Sequence, residues 1–166
     1  RLHYPKSKII EGDFLKLDLN KFKNNISIIG NFPYNISSQI LFKSFHNRDK
    51  VTELVGMFQK EVAERIACVK GKKKGILSIL LQTFYDIEYC FTVSNLLFEP
   101  PPKIKSAVIK MKRNNREKLD CDEEIFIKVV KTGYNQRRKT LRNALKSFTL
   151  NINDKMNKLL QKRAEQ

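Results

Sequence analysis

The sequence lacks features that mark several common classes of protein. It has no run of about 18 apolar residues, so we predict no transmembrane helix. Its three cysteines, Cys68, Cys90 and Cys121, lie far apart and match no metal spacing, and their odd number argues against a disulfide framework. The two histidines, His3 and His46, are interpreted as surface residues rather than ligands. We therefore predict reduced thiols, a cytoplasmic location and no bound metal.

Acidic residues are also scarce. The chain has 33 Lys and Arg against 17 Asp and Glu, which gives a net charge of +16. Residues 103–116 contain six Lys or Arg and no acid, residues 125–153 contain seven and no acid, and residues 70–75 form a third basic tract. For any one tract a solvated surface is the simpler explanation. Three tracts together predict nucleic acid or another anionic surface as the partner.

The apolar pattern alternates between strand and helix over residues 1–115. Strands alternating with helices predict an α/β sheet, and the closely spaced later strands predict an antiparallel edge. A serine at the start of the first helix is expected to cap it. Strands are predicted at 8–10, 26–30, 51–58, 85–93 and 107–111, and helices at 37–47, 60–69 and 75–84.

The pattern after residue 115 is helical only. A polar linker at 113–122 leads to predicted helices at 123–133 and 137–148, and a basic helical stretch follows at 155–166. Leu141, Leu145 and Phe148 recur at helical spacing, so they are expected to face a core while the basic residues face away. We therefore predict two domains, with residues 116–166 forming a small, all-helical, basic domain.

The segment Asn-Phe-Pro-Tyr at residues 31–34 suggests a chemistry. It follows an apolar strand, and ligands of open α/β sheets bind beyond the carboxyl ends of the strands. The Asn31 side-chain oxygen and the Pro33 carbonyl could accept hydrogen bonds from an aromatic amine. Those bonds would draw the amine lone pair out of conjugation with the ring, ready for methyl transfer, while Tyr34 stacks on the ring. The simpler alternative is a turn with an aromatic plug.

Four segments in order resemble one family. Residues 31–37 are similar to the target-base motif of this family, and residues 59–65 to its Gln-Lys-Glu-Val segment. Residues 98–108 are similar to its triple-proline segment, and residues 134–142 to its Asn-Gln-Arg-Arg-Lys-Thr segment. The family is that of the small-subunit ribosomal RNA adenine dimethyltransferases of the KsgA type. The resemblance implies part of a Rossmann-like methyltransferase sheet at residues 1–115, followed by an RNA-binding helical domain. It also implies that the glycine-rich cofactor loop precedes residue 1, so these 166 residues alone are expected to bind S-adenosylmethionine weakly.

The resemblance assigns roles to individual residues. Asn31 and the Pro33 carbonyl would hold the target amine, and Tyr34 and Phe98 would flank the flipped base. Asp13 would contact the adenine of the cofactor S-adenosylmethionine, with Asn31 beside it; a plain turn is the alternative for Asp13. The RNA-backbone set is Arg137, Arg138, Lys139 and Arg142, and a solvated helix face is its alternative.

The implied function is dimethylation of the N6 amine of two adjacent adenosines near the 3′ end of small-subunit ribosomal RNA. The expected partner is immature small-subunit RNA, and the protein is expected to be a monomer. Two alternatives remain at this point. One is a non-catalytic RNA-binding factor in small-subunit assembly, which the basic surface alone would support. The other is an adenine-N6 DNA methyltransferase, whose target motif is similar.

Overall fold

Four strands form one mixed sheet in the computed structural model, which describes residues 9–148. The strands are β1 (Ile26–Asn31), β2 (Val51–Gln59), β3 (Tyr85–Val93) and β4 (Ser106–Arg113). Their order across the sheet is β1-β2-β4-β3. Strands β1 and β2 are parallel, whereas β4 is antiparallel to both β2 and β3. The predicted α/β class with an antiparallel part is therefore confirmed.

Five α-helices accompany the sheet in the described residues, three of them before β4. They are α1 (Ser37–His46), α2 (Lys60–Ala67), α3 (Ile76–Phe84), α4 (Glu123–Asn135) and α5 (Leu141–Ala144). The Ser78 hydroxyl joins α2 to α3, because it donates to the Arg65 carbonyl at 2.6 Å and accepts from the Gly75 amide at 3.1 Å. Asp122 begins α4, since its carboxylate accepts from the Ile125 amide at 2.8 Å.

The core lies between the sheet and the helices. It includes Phe45 of α1, Phe58 of β2 and Phe84 of α3, none of which is exposed. Tyr85 is also buried, and its hydroxyl lies 3.1 Å from the Ser44 carbonyl and 2.9 Å from the Val51 carbonyl. Burial raises the pKa of Tyr85, so the hydroxyl stays protonated as a donor. These contacts fix α1 against β2 and thereby fix the loop between β1 and α1.

An ion pair fixes the beginning of α4 to this core. The guanidinium of Arg48 lies 4.3 Å from the ring centroid of Phe84 and pairs with Glu123 at 2.6 Å. Phe126, Ile127 and Val130 of α4 pack against the same core. The separate domain expected at residues 116–166 stays a prediction, because residues 149–166 lie outside the described part.

Three local predictions were wrong. Ile9 and Ile10 form no strand, because no described strand lies beside them to pair with. Ser37 does not cap α1: Ile36 occupies that position, and the Ser37 hydroxyl donates to the Pro33 carbonyl at 3.3 Å. The helix expected at 137–148 is shorter, because the Thr140 hydroxyl accepts from the Asn143 amide and starts α5 at residue 141.

The other predicted elements agree with the structure to within a few residues. The stretch at 155–166 lies outside the described residues. Among residues 9–148, no helix is both long and apolar enough to cross a membrane.

Candidate functional site

The carboxyl end of β1 opens into a surface cavity of about 420 Å³. Asn31 is the last residue of β1 and is exposed there. The segment after β3 supplies the opposite wall, although it lies more than 60 residues further along the chain. The structure thus brings together the four residues predicted to act on the target amine. The cavity is lined by Asn31, Phe32, Pro33, Tyr34, Phe98, Glu99, Pro100 and Pro102.

A pair of glycines positions this loop, and sequence reasoning did not single them out. Gly30 of β1 and Gly56 of β2 are paired in the sheet, and the Phe32 ring lies over both. A Cβ atom on Gly56 would come within 2.6 Å of Phe32 and 2.7 Å of Phe58, closer than real Cβ contacts allow. The Phe32 and Phe58 rings pack at a centroid distance of 5.5 Å. An isolated glycine within an apolar strand indicates such a close approach, and both Gly30 and Gly56 are glycines of this kind.

The Tyr34 ring is held by a hydrogen bond across the sheet. Its hydroxyl lies 2.6 Å from the hydroxyl of Ser106, which is fully buried at the start of β4. Tyr34 itself is half-buried, so one part of its ring remains open to the cavity. Ser106 is a third residue that sequence reasoning missed as a member of the site, because nothing in the sequence pairs it with a residue 72 positions away.

The Pro33 carbonyl is already engaged in the turn that follows it. It accepts from the Ile36 amide at 3.2 Å and from the Ser37 hydroxyl at 3.3 Å. A carbonyl oxygen has two lone pairs, so both are in use. The Phe32 carbonyl, one residue earlier, accepts no hydrogen bond from the described residues in the same turn.

Phe98 follows a short 3-10 turn, Asn95–Leu97, that is tied to the prolines. The Asn95 side-chain amide donates to the Pro102 carbonyl at 3.1 Å, which closes the segment into a loop. Phe98 is half-buried and lines the cavity rather than the core.

Asp13 lies in a different cavity, of about 310 Å³. One of its carboxylate oxygens accepts from the Leu15 amide at 2.8 Å, so Asp13 forms the turn considered as its alternative role. The side chain is nevertheless exposed, and the cavity around it has apolar walls from Ile10, Phe14 and Leu17. Lys43 of α1 holds this turn in place, because its ammonium donates to the Leu15 carbonyl at 2.9 Å and to the Leu17 carbonyl at 2.5 Å.

A third cavity, of about 440 Å³, adjoins the proline loop. Gln59, Lys60 and Glu61 line it together with Glu64, Ile104 and Lys105. The Lys60 amide donates to the Lys105 carbonyl at 2.9 Å, so the start of α2 is tied to the end of that loop.

The basic residues of the last motif do not share a helix face. Arg137, Arg138 and Lys139 lie in the turn before α5, and Arg142 lies on α5; all four are exposed. The Arg137 guanidinium donates to the carbonyls of Lys72 and Lys74, at 2.7 and 3.0 Å. Arg137 therefore joins this turn to the basic tract at 70–75, and two of the three tracts found in the sequence become neighbours.

One lysine of that tract is paired with an acid. Lys73 lies 2.6 Å from Glu64. The hydrogen bond from Lys73 holds the pKa of Glu64 below its usual range and raises the pKa of Lys73 itself. Within the part of the chain that the structure describes, no group of His, Cys, Asp and Glu is arranged to hold a metal ion.

The chain is similar in sequence to one protein family and to relatives from several bacteria. A family profile described as "Ribosomal RNA adenine dimethylase" matches residues 1–165. A ribosomal RNA small subunit methyltransferase A from Cytophaga hutchinsonii is 58% identical over 97% of this chain and 63% of its own length. A protein of the same name from Flavobacterium johnsoniae is 56% identical over 99% of this chain and 65% of its own length. The chain thus spans less than two thirds of the length of these relatives.

Solved structures show a similar fold. A dimethyladenosine transferase from Plasmodium falciparum superposes with a TM-score of 0.71 at 26% identity, over 90% of this chain and 51% of that one. The 23S rRNA methyltransferase ErmE superposes with a TM-score of 0.72 at 20% identity, over 88% of this chain and 59% of that one.

Proposed function

Because the chain belongs to the ribosomal RNA adenine dimethylase family, we propose that it is part of a cytoplasmic enzyme that methylates adenosine N6 in small-subunit ribosomal RNA. We further propose that the products are two adjacent dimethyladenosines near the 3′ end. The observation that supports this most is the cavity at the end of β1, which the side-chain amide of Asn31 lines together with the rings of Tyr34 and Phe98. Transfer of labelled methyl groups to immature small-subunit RNA by the full-length protein is the test. RNA binding without transfer would favour an assembly factor, and preference for DNA would favour the DNA enzyme.

We infer that the second acceptor for the target amine is the Phe32 carbonyl. The Asn31 side-chain oxygen supplies the first, and the Pro33 carbonyl is saturated by Ile36 and Ser37. Two acceptors on the two N–H bonds draw the amine lone pair out of conjugation with the purine ring, so that the nitrogen becomes a better nucleophile. The Gly30 and Gly56 pair supports this arrangement by letting the Phe32 ring approach the two strands closely, which fixes the backbone on both sides of that ring.

S-adenosylmethionine supplies the methyl group when bound. The residues near Asp13 suit its adenine end, because an exposed carboxylate can accept from the adenine amine while Phe14 and Ile10 cover a ring. Lys43 would keep Asp13 in place through its bonds to the same turn. We propose Asp13 and Asn31 as the contribution of this chain to cofactor binding.

Tyr34 and Phe98 are proposed to hold the flipped adenine between their rings. Extracting a base from its stack costs a few kcal/mol, and each ring that stacks on it returns about 1–3 kcal/mol. Phe98→Ala and Tyr34→Ala are therefore each expected to reduce kcat/KM for methylation by about 10- to 100-fold. RNA affinity should change little, because phosphate contacts supply most of it.

The matched control is Tyr34→Phe, which keeps the ring and removes only its bond to Ser106. It is expected to retain more activity than Tyr34→Ala, because the ring that stacks on the base remains. If Phe98→Ala instead unfolds the protein, as circular dichroism would reveal, Phe98 serves packing rather than the base.

Arg138, Lys139 and Arg142 are proposed to contact RNA phosphates. Phosphate contacts position RNA without reading its sequence. Replacing all three with glutamine should weaken binding to many RNAs alike. The slope of log affinity against log salt, which is negative, should become shallower by about 2–3. Fluorescence anisotropy at several salt concentrations measures the slope, and Lys21→Gln is the control, because Lys21 is exposed and lies outside the three basic tracts. A slope that stays the same in the triple variant would mean that these residues are only solvated.

A further inference from the structure

Two adjacent leucines extend into solvent beside the candidate site. Leu96 is 81% exposed and Leu97 is 77% exposed. Single exposed apolar residues are ordinary, but adjacent ones of this size on a short turn are not. Phe91 and Ile104, on either side of this turn in the sequence, are also exposed, at 58% and 42%.

The turn that carries the leucines is held in shape by its own hydrogen bonds. The Ser94 hydroxyl accepts from the Leu96 amide at 3.3 Å, and the Ser94 carbonyl accepts from the Leu97 amide at 3.3 Å. The Asn95 carbonyl accepts from the Phe98 amide, and the Asn95 side chain donates to Pro102. The backbone therefore presents both leucines outward, and little conformational entropy is left to lose when something contacts them.

The position of the turn points to RNA as the occupant. Leu97 immediately precedes Phe98, which lines the cavity, and the Asn95–Pro102 bond ties the turn to another lining residue. Exposed Lys103 and Lys105 follow, whereas Glu99 is the one acid between residues 89 and 116. An apolar tip with a basic flank at the rim suits a nucleic acid, whose stacked bases are apolar and whose backbone is anionic.

We propose that Leu96 and Leu97 form an apolar wedge that enters the RNA stack next to the target adenosine. When that base turns into the cavity, its former neighbours lose a stacking partner, and the leucine side chains fill the gap. This inference rests on the proposed function, since it concerns the same RNA. The proposed wedge contacts the stacked bases of the RNA, whereas other residues contact the reacting amine.

The test compares two RNA substrates that differ only in stacking. One is a small-subunit RNA hairpin in which the target adenosine is stacked, and the other is a single-stranded oligonucleotide of the same local sequence. With the full-length protein, Leu96→Ser/Leu97→Ser is expected to reduce kcat/KM at least about tenfold on the hairpin and less than about threefold on the single strand, where no stack is broken. Leu96→Met/Leu97→Met should behave like the unaltered protein.

Ile125→Ser is the matched control, because Ile125 is 54% exposed on α4 and is not among the residues that line the cavity. It is expected to leave both rates unchanged. If the unaltered protein methylates neither RNA, the proposed function fails. If it methylates both and the serine variant matches it on both, only the wedge fails.

Two other results would also overturn the wedge. A fall in melting temperature of more than about 4 °C in the serine variant would show that the leucines pack against another part of the full-length protein. Loss of binding to anionic phospholipid vesicles, with methylation unchanged, would assign the leucines to a lipid surface.

Discussion

Asn31→Ala is expected to reduce the methylation rate by about 100- to 1,000-fold, the range seen when one preorganised polar group is removed from a reacting centre. Its side-chain oxygen is the only side-chain acceptor that the segment at 31–34 places in the cavity apart from the Tyr34 hydroxyl, which is already bonded to Ser106. Without it, the amine lone pair stays delocalised into the purine ring, and the nitrogen remains a poor nucleophile. Single-turnover methylation of small-subunit RNA by the full-length protein measures the effect on the chemical step directly.

Asn35→Ala provides the matched control, because Asn35 belongs to the same segment, is exposed, and is not among the residues that line the cavity. Its rate should stay within about threefold of the unaltered protein. RNA affinity should be similar for both variants, since phosphates dominate it. A near-normal rate for Asn31→Ala would remove Asn31 from the reaction.

Gly56→Ala should lower both the free energy of unfolding and the activity. The new Cβ atom would meet the rings of Phe32 and Phe58 at 2.6 and 2.7 Å, so both rings must move. Overpacking of this kind typically costs about 1–3 kcal/mol. Because Phe32 lies between Asn31 and Pro33, its displacement should also misplace the acceptors and slow methylation. Urea unfolding and single-turnover rates measure the two effects.

Gly75→Ala is the control for Gly56→Ala. A Cβ atom there meets nothing closer than 3.6 Å, so only a modest loss of helix capping is expected. The variant Phe32→Leu should partly rescue Gly56→Ala, because leucine lacks the outer ring atoms that collide. Strictly additive effects in this double-mutant cycle would contradict the close approach.

Sequence reasoning located the elements better than the contacts between them. Strand β3 was predicted with its observed bounds, because apolar alternation and a turn at each end are local signals. The helix at 137–148 was extended too far because periodicity ignores capping, and Thr140 starts α5 only at residue 141.

The candidate site depended on contacts that no periodicity encodes. Tyr34 and Phe98 share a cavity because β4 lies between β2 and β3, a topology that the sequence pattern left open. Only the resemblance of four segments to one family brought those residues together in advance. The Tyr34–Ser106 bond and the saturation of the Pro33 carbonyl depend on distances of a few ångströms, so they required coordinates.

The charge of +16 affects how copies of this chain behave towards one another in solution. Like charges of this size repel each other and keep the copies apart. Salt shortens the Debye length from about 10 Å at 0.1 M to about 3 Å at 1 M. Salt high enough to release RNA from the proposed binding surface therefore also weakens the repulsion between copies, so conditions that release RNA also favour association of the protein with itself.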